Sequence, residues 1–421
     1  MQQFSLEASP LRPNDSGLNE DNVMQIGDIR LLRSKAIFGA NGSGKSNLAK
    51  AIAAFQIMVT RSVAEENLPK KIWNDRFQLI KDWDIEPVFF QLLFFVENEI
   101  YRYGFQILGG KVSYEWLFGL EGKVETLYLM RAPEDIQVNQ EARVESLVQQ
   151  SEANELLRED SLYLTAAALN GNTLCSKIRR TIQGLICVDG VDDGSTIQYA
   201  IRNFVNGPEE KRRRLAELLN AADTGVLDVL FDVMPTDLPD SYTKNSHNDE
   251  QKGKIMTVFS THQIYDWEGK SAGVKQVPFG EWESEGTGKL LGVGALVLDA
   301  LAFGRPLVID EFDARFHPNL TLKIVRLFQN QRTNPNNAQL IFVTHDGSLL
   351  RRAQLRRDQI CLVNKDEYGI SRINTLIEFK GVRKDASYEK EYLNGSYTAI
   401  PYLDRMDGII ESYQDDLSKT N

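Results

Sequence analysis

Residues 35–46 read KAIFGANGSGKS, and the last eight of them, Gly39-Ala40-Asn41-Gly42-Ser43-Gly44-Lys45-Ser46, fill every fixed position of the phosphate-loop pattern G-x-x-x-x-G-K-[ST]. An apolar run at 35–38 precedes the loop, and Leu48, Ile52, Phe55 and Ile57 behind it repeat near helical period, which predicts a helix over 45–60. Strand, glycine loop and helix in that order form a cradle for phosphate. Glycines let successive N–H groups turn toward phosphate oxygens, and the helix N-terminus adds partial positive charge on the same side. Lys45 is expected to bridge the β- and γ-phosphates, and the Ser46 hydroxyl to enter the shell of a magnesium ion. The cofactors read from these residues are therefore ATP and Mg2+.

Working outward, the run 307–309 ends in Asp310 and Glu311. Ligands of a parallel sheet bind at the carboxyl ends of its strands, so these acids are expected beside the phosphate loop. Asp310 is read as a magnesium ligand and Glu311 as the general base that polarises the attacking water. A second apolar strand, 339–344, ends in His345, whose imidazole is placed to hydrogen-bond the γ-phosphate. Upstream, Ser284, Gly286 and Thr287 open a helix predicted over 287–303 and offer small donors to an anion. The order is phosphate loop, Ser-x-Gly helix, Asp-Glu strand, histidine strand. It is the ATP-binding-cassette (ABC) arrangement. In that class the Ser-x-Gly helix caps the γ-phosphate bound by a second protomer. Asp313 resembles the residue that communicates across the interface, so a homodimer or higher homo-oligomer with ATP between its heads is expected.

The fold class that follows is α/β: an ABC-type P-loop NTPase head, with a mixed β-sheet core and flanking helices, carrying an α-helical insertion. Strands are expected at 3–8, 88–96, 100–107, 111–118 and 255–260, and a helix at 318–329. Three units are expected. Residues 1–132 form the N-terminal lobe with the P-loop and a β-subdomain, 133–235 the helical insertion, and 236–421 the C-terminal lobe. Residues 236–254 are polar and read as a loop joining the lobes. No heptad run supports a coiled-coil arm.

Composition bounds the function classes. The chain has 421 residues, is 42% hydrophobic and 25% charged, and carries a formal charge of −11, which argues against a surface coated with basic groups for nucleic acid. A local basic groove stays open, so nucleic acid is kept as a partner class. The run 211–214 is expected as a solvated face balanced by Glu209, Glu210 and Glu217. Arg351-Arg352 and Arg356-Arg357 flank the histidine strand. Cys175, Cys187 and Cys361 are odd in number and lack zinc spacing, which fits a reducing cytoplasm. No run reaches the roughly 18 apolar residues of a membrane span, and no signal-peptide profile opens the chain. No membrane partner is expected. His247 and His262 read as surface residues, His317 as structural or interfacial, and Gln91 as the candidate lobe-coupling glutamine.

Five segments resemble one bacterial family: Trp282–Thr287 (WESEGT), Val308–Pro318 (VIDEFDARFHP), Asn334–Asp346 (NPNNAQLIFVTHD), Leu355–Ile360 (LRRDQI) and Tyr392–Pro401 (YLNGSYTAIP). These are similar to the OLD/SMC-like ABC-type AAA-family ATPases of restriction-locus and abortive-infection operons, RloA/AbiLi-like, over about residues 23–402. The resemblance implies ATP-driven anti-phage defence in which the ATPase senses or gates and a separately encoded effector, a nuclease or other toxin, does the damage. Ser396 and Thr398 depart from the arginine and glycine usual in that family. The 75 residues after Asp346 leave no room for a fused nuclease domain, so the chain alone is expected not to cut nucleic acid. Two other readings are carried: an SMC-like DNA-binding repair ATPase, and a slow nucleotide switch acting as a scaffold.

Overall fold

The computed structural model describes residues 3–10, 20–81, 85–122, 124–139, 157–235, 254–379, 387–397, 399–400 and 406–420. The chain begins with the antiparallel pair β1 (Val23–Ile26) and β2 (Ile29–Leu32), then β3 (Ser34–Gly39) leads into α1 (Lys45–Arg61) and α2 (Leu68–Asn74). An antiparallel meander follows: β4 (Val88–Val96), β5 (Glu99–Leu108), β6 (Lys111–Glu121), β7 (Val124–Arg131) and β8 (Ile136–Val138). Next come α3 (Tyr163–Leu169), α4 (Thr173–Gln183), β9 (Ile186–Asp189), α5 (Asp193–Ala200) with a π-helical turn at Ile201–Val205, and α6 (Glu209–Ala221). A three-stranded sheet of β10 (Val226–Pro235), β11 (Lys254–Tyr265) and β12 (Ser271–Pro278) precedes the short α7 (Phe279–Trp282) and the long α8 (Glu285–Phe303). The chain continues as β13 (Leu307–Asp310), α9 (Pro318–Gln329), β14 (Leu340–Val343), α10 (Leu349–Arg352), β15 (Ile360–Lys365), β16 (Ser371–Thr375), α11 (Tyr388–Leu393) and α12 (Met406–Thr420).

The central sheet has the order β16-β15-β3-β14-β13-β9. Four of its five pairings run parallel, and the edge strand β16 turns back antiparallel on β15. Strands covered on both faces read as continuous apolar runs. That is why β3, β13 and β14 are buried at every residue. The fold is mixed α/β, with a parallel-rich sheet and flanking helices, as the strand–loop–helix reading expected. Strand β14 lies between the loop strand β3 and the acid strand β13.

Helix α1 belongs to two cores. Ala49, near its start, packs with Ile37, Val308, Ile341, Val343, Cys361 and Val363 of the central sheet. Phe55, Met58 and Val59, two turns on, pack into the meander with Tyr103, Phe105 and Leu117, and the Phe55 ring stacks on Phe105 at 5.5 Å. The loop helix is thus a beam shared by sheet and subdomain.

The described helices within 133–235 divide between two cores. Helices α3 and α4 complete the meander's core through Tyr163, Leu164, Ile178 and Ile182. Strand β9 joins the central sheet beside β13, and α5 and α6 pack on α8 in the main core. A buried carboxylate fixes the first junction. Glu115 of β6 is fully buried, accepts from the backbone N–H groups of Tyr163 and Leu164 at the start of α3 and from the Tyr103 hydroxyl, and lies 3.8 Å from Arg131. Burial raises its pKa, opposed by Arg131 and those donors.

Helix α8 is long and apolar enough to cross a membrane by length and composition alone, although Lys289 and Asp299 interrupt its apolar run, in keeping with the expectation that no unbroken run of that length exists. It is a core helix here. Gly292 lets Thr196 of α5 come where a Cβ would sit 2.3 Å from its hydroxyl, and Gly294 does the same for Leu218 of α6. Its acid, Asp299, is paired with Lys211 at 2.9 Å and accepts from the Tyr199 hydroxyl.

Other expectations shift. Residues 3–8 form no strand, only an isolated bridge between Glu7 and Leu31. Strands β1, β2, β7, β8, β9, β10, β12, β15 and β16 were not anticipated. The 236–254 loop lies almost wholly outside the described residues, as do His247 and Thr398.

Candidate functional site

Gly39 ends β3 between β15 and β14, and a Cβ there would meet the Val363 carbonyl oxygen at 2.3 Å. Gly42 and Gly44 take left-handed φ values of 72° and 100°, which a side chain would strain. Only glycine fits this bend. Lys45 is buried, and its Nζ donates to the carbonyls of Gly39 and Ala40, both at 2.9 Å, under the arch of the loop. Burial lowers its pKa, while Glu311, Asp310 and Asp313 act to hold the proton.

The loop forms one wall of an open cavity of about 800 Å³. Asn41, Gly42, Gly44, Lys45, Ser46 and Asn47 line that wall. Glu311, His345 and Lys365 complete the lining. The cavity exceeds what a triphosphate needs, and its donors match one: backbone N–H groups at a helix N-terminus, a lysine ammonium and a serine hydroxyl. Asp310 is buried at the end of β13, where its Oδ1 accepts from the Glu311 N–H at 3.1 Å. Of the two expected magnesium ligands, Ser46 lines the cavity and Asp310 is not among its lining residues. Among the described residues no cluster of three His, Cys, Asp or Glu side chains forms a self-sufficient metal site, so such an ion would share its shell with phosphate oxygens.

The acid segment is held from several sides. Glu311 is a non-glycine residue at φ 48°, a conformation that costs about 1–3 kcal/mol unless its surroundings impose it. Lys289 of α8, fully buried, donates through Nζ to the carbonyls of Glu311 (3.0 Å), Phe312 (3.2 Å) and Ala314 (2.6 Å), with the Phe316 ring 4.7 Å away. Burial draws its pKa down to about 8, opposed chiefly by Asp193 and Asp313. Gly190, just past β9, packs so closely that a Cβ would lie 2.5 Å from the Asp310 carbonyl oxygen and 2.6 Å from that of Glu311. On the other side the Phe312 N–H donates to Val343 of β14, and the His345 N–H donates to Asp313 Oδ1 at 3.1 Å. His345 Nε2 then stands 3.7 Å from Glu311 Oε1. A water or phosphate oxygen seated beside the pair, within reach of both, would meet a base and a hydrogen-bonding imidazole together.

Ser284, Gly286 and Thr287 do not line this cavity. Ser284 is the N-cap of α8, its Oγ accepting from the Thr287 N–H at 3.1 Å. Arg315 ties Glu285 at 3.2 Å and Asp193. His262, expected as a lone surface residue, instead joins its Nε2 to Glu283 Oε1 at 2.7 Å, and Ser260 donates to the same oxygen at 2.5 Å. Strand β11 thereby grips the residue just before the cap. His317 caps α9, accepting from the Asn319 N–H. Gln91 accepts from Trp116 and Arg102 in the meander and does not line the cavity.

The basic runs are engaged within the chain. Lys211 pairs with Asp299, Arg212 with Asp228, Arg213 with Glu210, and Arg214 with Glu210 and Glu217. Arg351 pairs with Glu389, and buried Arg356 with Asp358. Reading the residues by motif missed Lys289, Gly190 and Lys365, none of which carries a spacing signal.

Fold and phosphate loop together define a P-loop protein of the AAA class. The chain belongs to the family described as "AAA domain, putative AbiEii toxin, Type IV TA system", whose profile matches residues 36–351. No curated protein matches it. Among solved structures it is similar to one titled "Crystal structure of the SmcHead bound to the C-winged helix domain of ScpA", at 15% identity and a TM-score of 0.39, over 82% of this chain and 91% of that one.

Proposed function

We propose that the chain binds and hydrolyses ATP with magnesium and uses that cycle to sense for or gate a separately encoded effector in bacterial anti-phage defence. The observation that carries this reading is the convergence of Lys45, Ser46, Glu311 and His345 on one cavity at the end of β3. Lys45 and the loop N–H groups bind the phosphate chain; Ser46 and Asp310 would hold magnesium, which would supply charge neutralisation for the phosphoryl oxygens. Glu311 takes a proton from the attacking water, and His345 hydrogen-bonds the oxygen that becomes charged. Ser284, Gly286, Thr287 and Asp313 act across a homodimer on the partner's nucleotide; that none of the first three lines its own cavity supports this division. The family's description names a toxin–antitoxin system, which fits an ATPase that works in the cytoplasm with a second protein. The internal pairing of the basic runs leaves the DNA-repair reading with less support. Phosphate release from MgATP by the purified chain, abolished in Lys45→Ala, tests the reading; no release above background from the wild type overturns it.

A further inference from the structure

We infer that Lys365 is a second phosphate-binding cation of the nucleotide cavity, supplied by the β15–β16 hairpin and directed at the part of the nucleotide that ATP and ADP share. The inference rests on the ATP-binding reading above.

Strand β15 pairs in parallel with β3 so that Val363 lies opposite Gly39. Side chains alternate along a strand, and Cys361 and Val363 both point into the core under α1 with Ala49. Lys365 is the next residue in that row. At about 3.3 Å per residue it lies some 7 Å past Gly39, level with the start of α1. It lines the cavity there with Gly44 and Asn47.

The hairpin is bonded to the phosphate loop. Lys365 pairs with Ser371 across β15–β16, and Ser371 Oγ donates to the Ser43 carbonyl at 2.7 Å. A Cβ on Gly44 would sit 2.1 Å from that same Oγ. The turn between the strands is internally braced, since Asp366 Oδ1 accepts from the N–H groups of Tyr368 and Ile370. An exposed lysine side chain is thus mounted on a rigid base.

Charge and direction follow. Lys365 adds a second cation to Lys45 and so offsets part of the acidic charge of Glu311, Asp310 and Asp313 that an anionic nucleotide would meet. In the sheet order β15-β3-β14-β13, Lys365 approaches from one flank of β3 and His345 and Glu311 from the other. The γ-phosphate belongs to the acid flank, so Lys365 meets the chain nearer its α- and β-phosphates.

The test is the affinity of Lys365→Met and Lys365→Arg for MgADP and MgATP by titration calorimetry, with turnover at saturating MgATP. For Lys365→Met both affinities fall together, roughly three- to tenfold, with the loss shrinking at high salt. Lys365→Arg keeps wild-type affinity, and in Lys365→Met the KM for MgATP rises by more than kcat falls. Unchanged affinity for both nucleotides in Lys365→Met, with the wild type binding, overturns the inference and leaves the ATPase reading standing. A loss confined to MgATP also overturns it, by moving the contact to the γ end. A wild type that binds neither nucleotide overturns both.

Discussion

Lys289 holds Glu311 by its main chain: the buried ammonium donates to the Glu311 carbonyl at 3.0 Å while Glu311 sits at φ 48°. The contact runs from the helix that Ser284 caps to the acid proposed as general base. Substituting Lys289→Met leaves three carbonyls without their shared donor and releases the left-handed turn. Turnover is expected to fall at least tenfold with KM for MgATP little changed, a split that steady-state kinetics reads directly.

The same lysine sets a pH dependence. Burial lowers its pKa from 10.5 to about 8, so between those values the unfolded chain keeps a proton that the folded chain has shed. Stability from this group therefore rises with pH across that window. The strut itself weakens as the charge leaves, so turnover declines above about pH 8. Lys289→Arg stays protonated and is expected to lack that alkaline limb in a pH–rate profile.

Gly190→Ala puts a methyl group within 2.5–2.6 Å of two carbonyl oxygens of the acid segment. Backbone must shift to accommodate it. ATP turnover is expected to drop more than tenfold while the melting temperature moves by only a few degrees, as calorimetry and phosphate release will compare.

Glu115 lies far along the chain from the cavity residues and carries a structural load. Removing its carboxylate in Glu115→Ala leaves Arg131 without its acid and two helix N–H groups without acceptors, a loss of about 3–5 kcal/mol. Chemical denaturation measures it. Glu115→Gln, which keeps an acceptor oxygen, is expected to lose less.

If Ser284 acts on a partner's nucleotide, Ser284→Arg and Lys45→Ala chains are each inactive but complementary. Mixing them assembles one complete site from the intact phosphate loop of the first and the intact cap of the second. Partial recovery of turnover on mixing is expected, and none if the cap serves its own chain.

Much of the site was legible because phosphate chemistry concentrates it in contiguous motifs. The glycines of 39–44 and the Asp310-Glu311 pair announce themselves by type and spacing, and the apolar runs before them mark buried parallel strands. Spatial order was not legible. Nothing in residues 340–343 tells that β14 inserts between β3 and β13, since that depends on which strand edges remain to be paired. Lys289 reads as a lone polar residue in an apolar helix, and its role appears only once the acid segment folds over it. His262 and Glu283 are 21 positions apart and meet through a hairpin. Strand β9 is four residues between two helices, too short for alternation to reveal. The apolar excess of α8, which mimics a membrane span, comes from being covered on nearly every face by α5, α6 and the sheet.

The central claim is that ATP is clasped between two copies of this chain. Light scattering on Glu311→Gln, which should bind MgATP but hydrolyse it slowly, tests it most directly. The predicted result is a doubling of mass on adding MgATP, with one nucleotide retained per chain and no doubling with MgADP. A mass that stays at one chain with MgATP bound, or a chain that retains no nucleotide, contradicts the account.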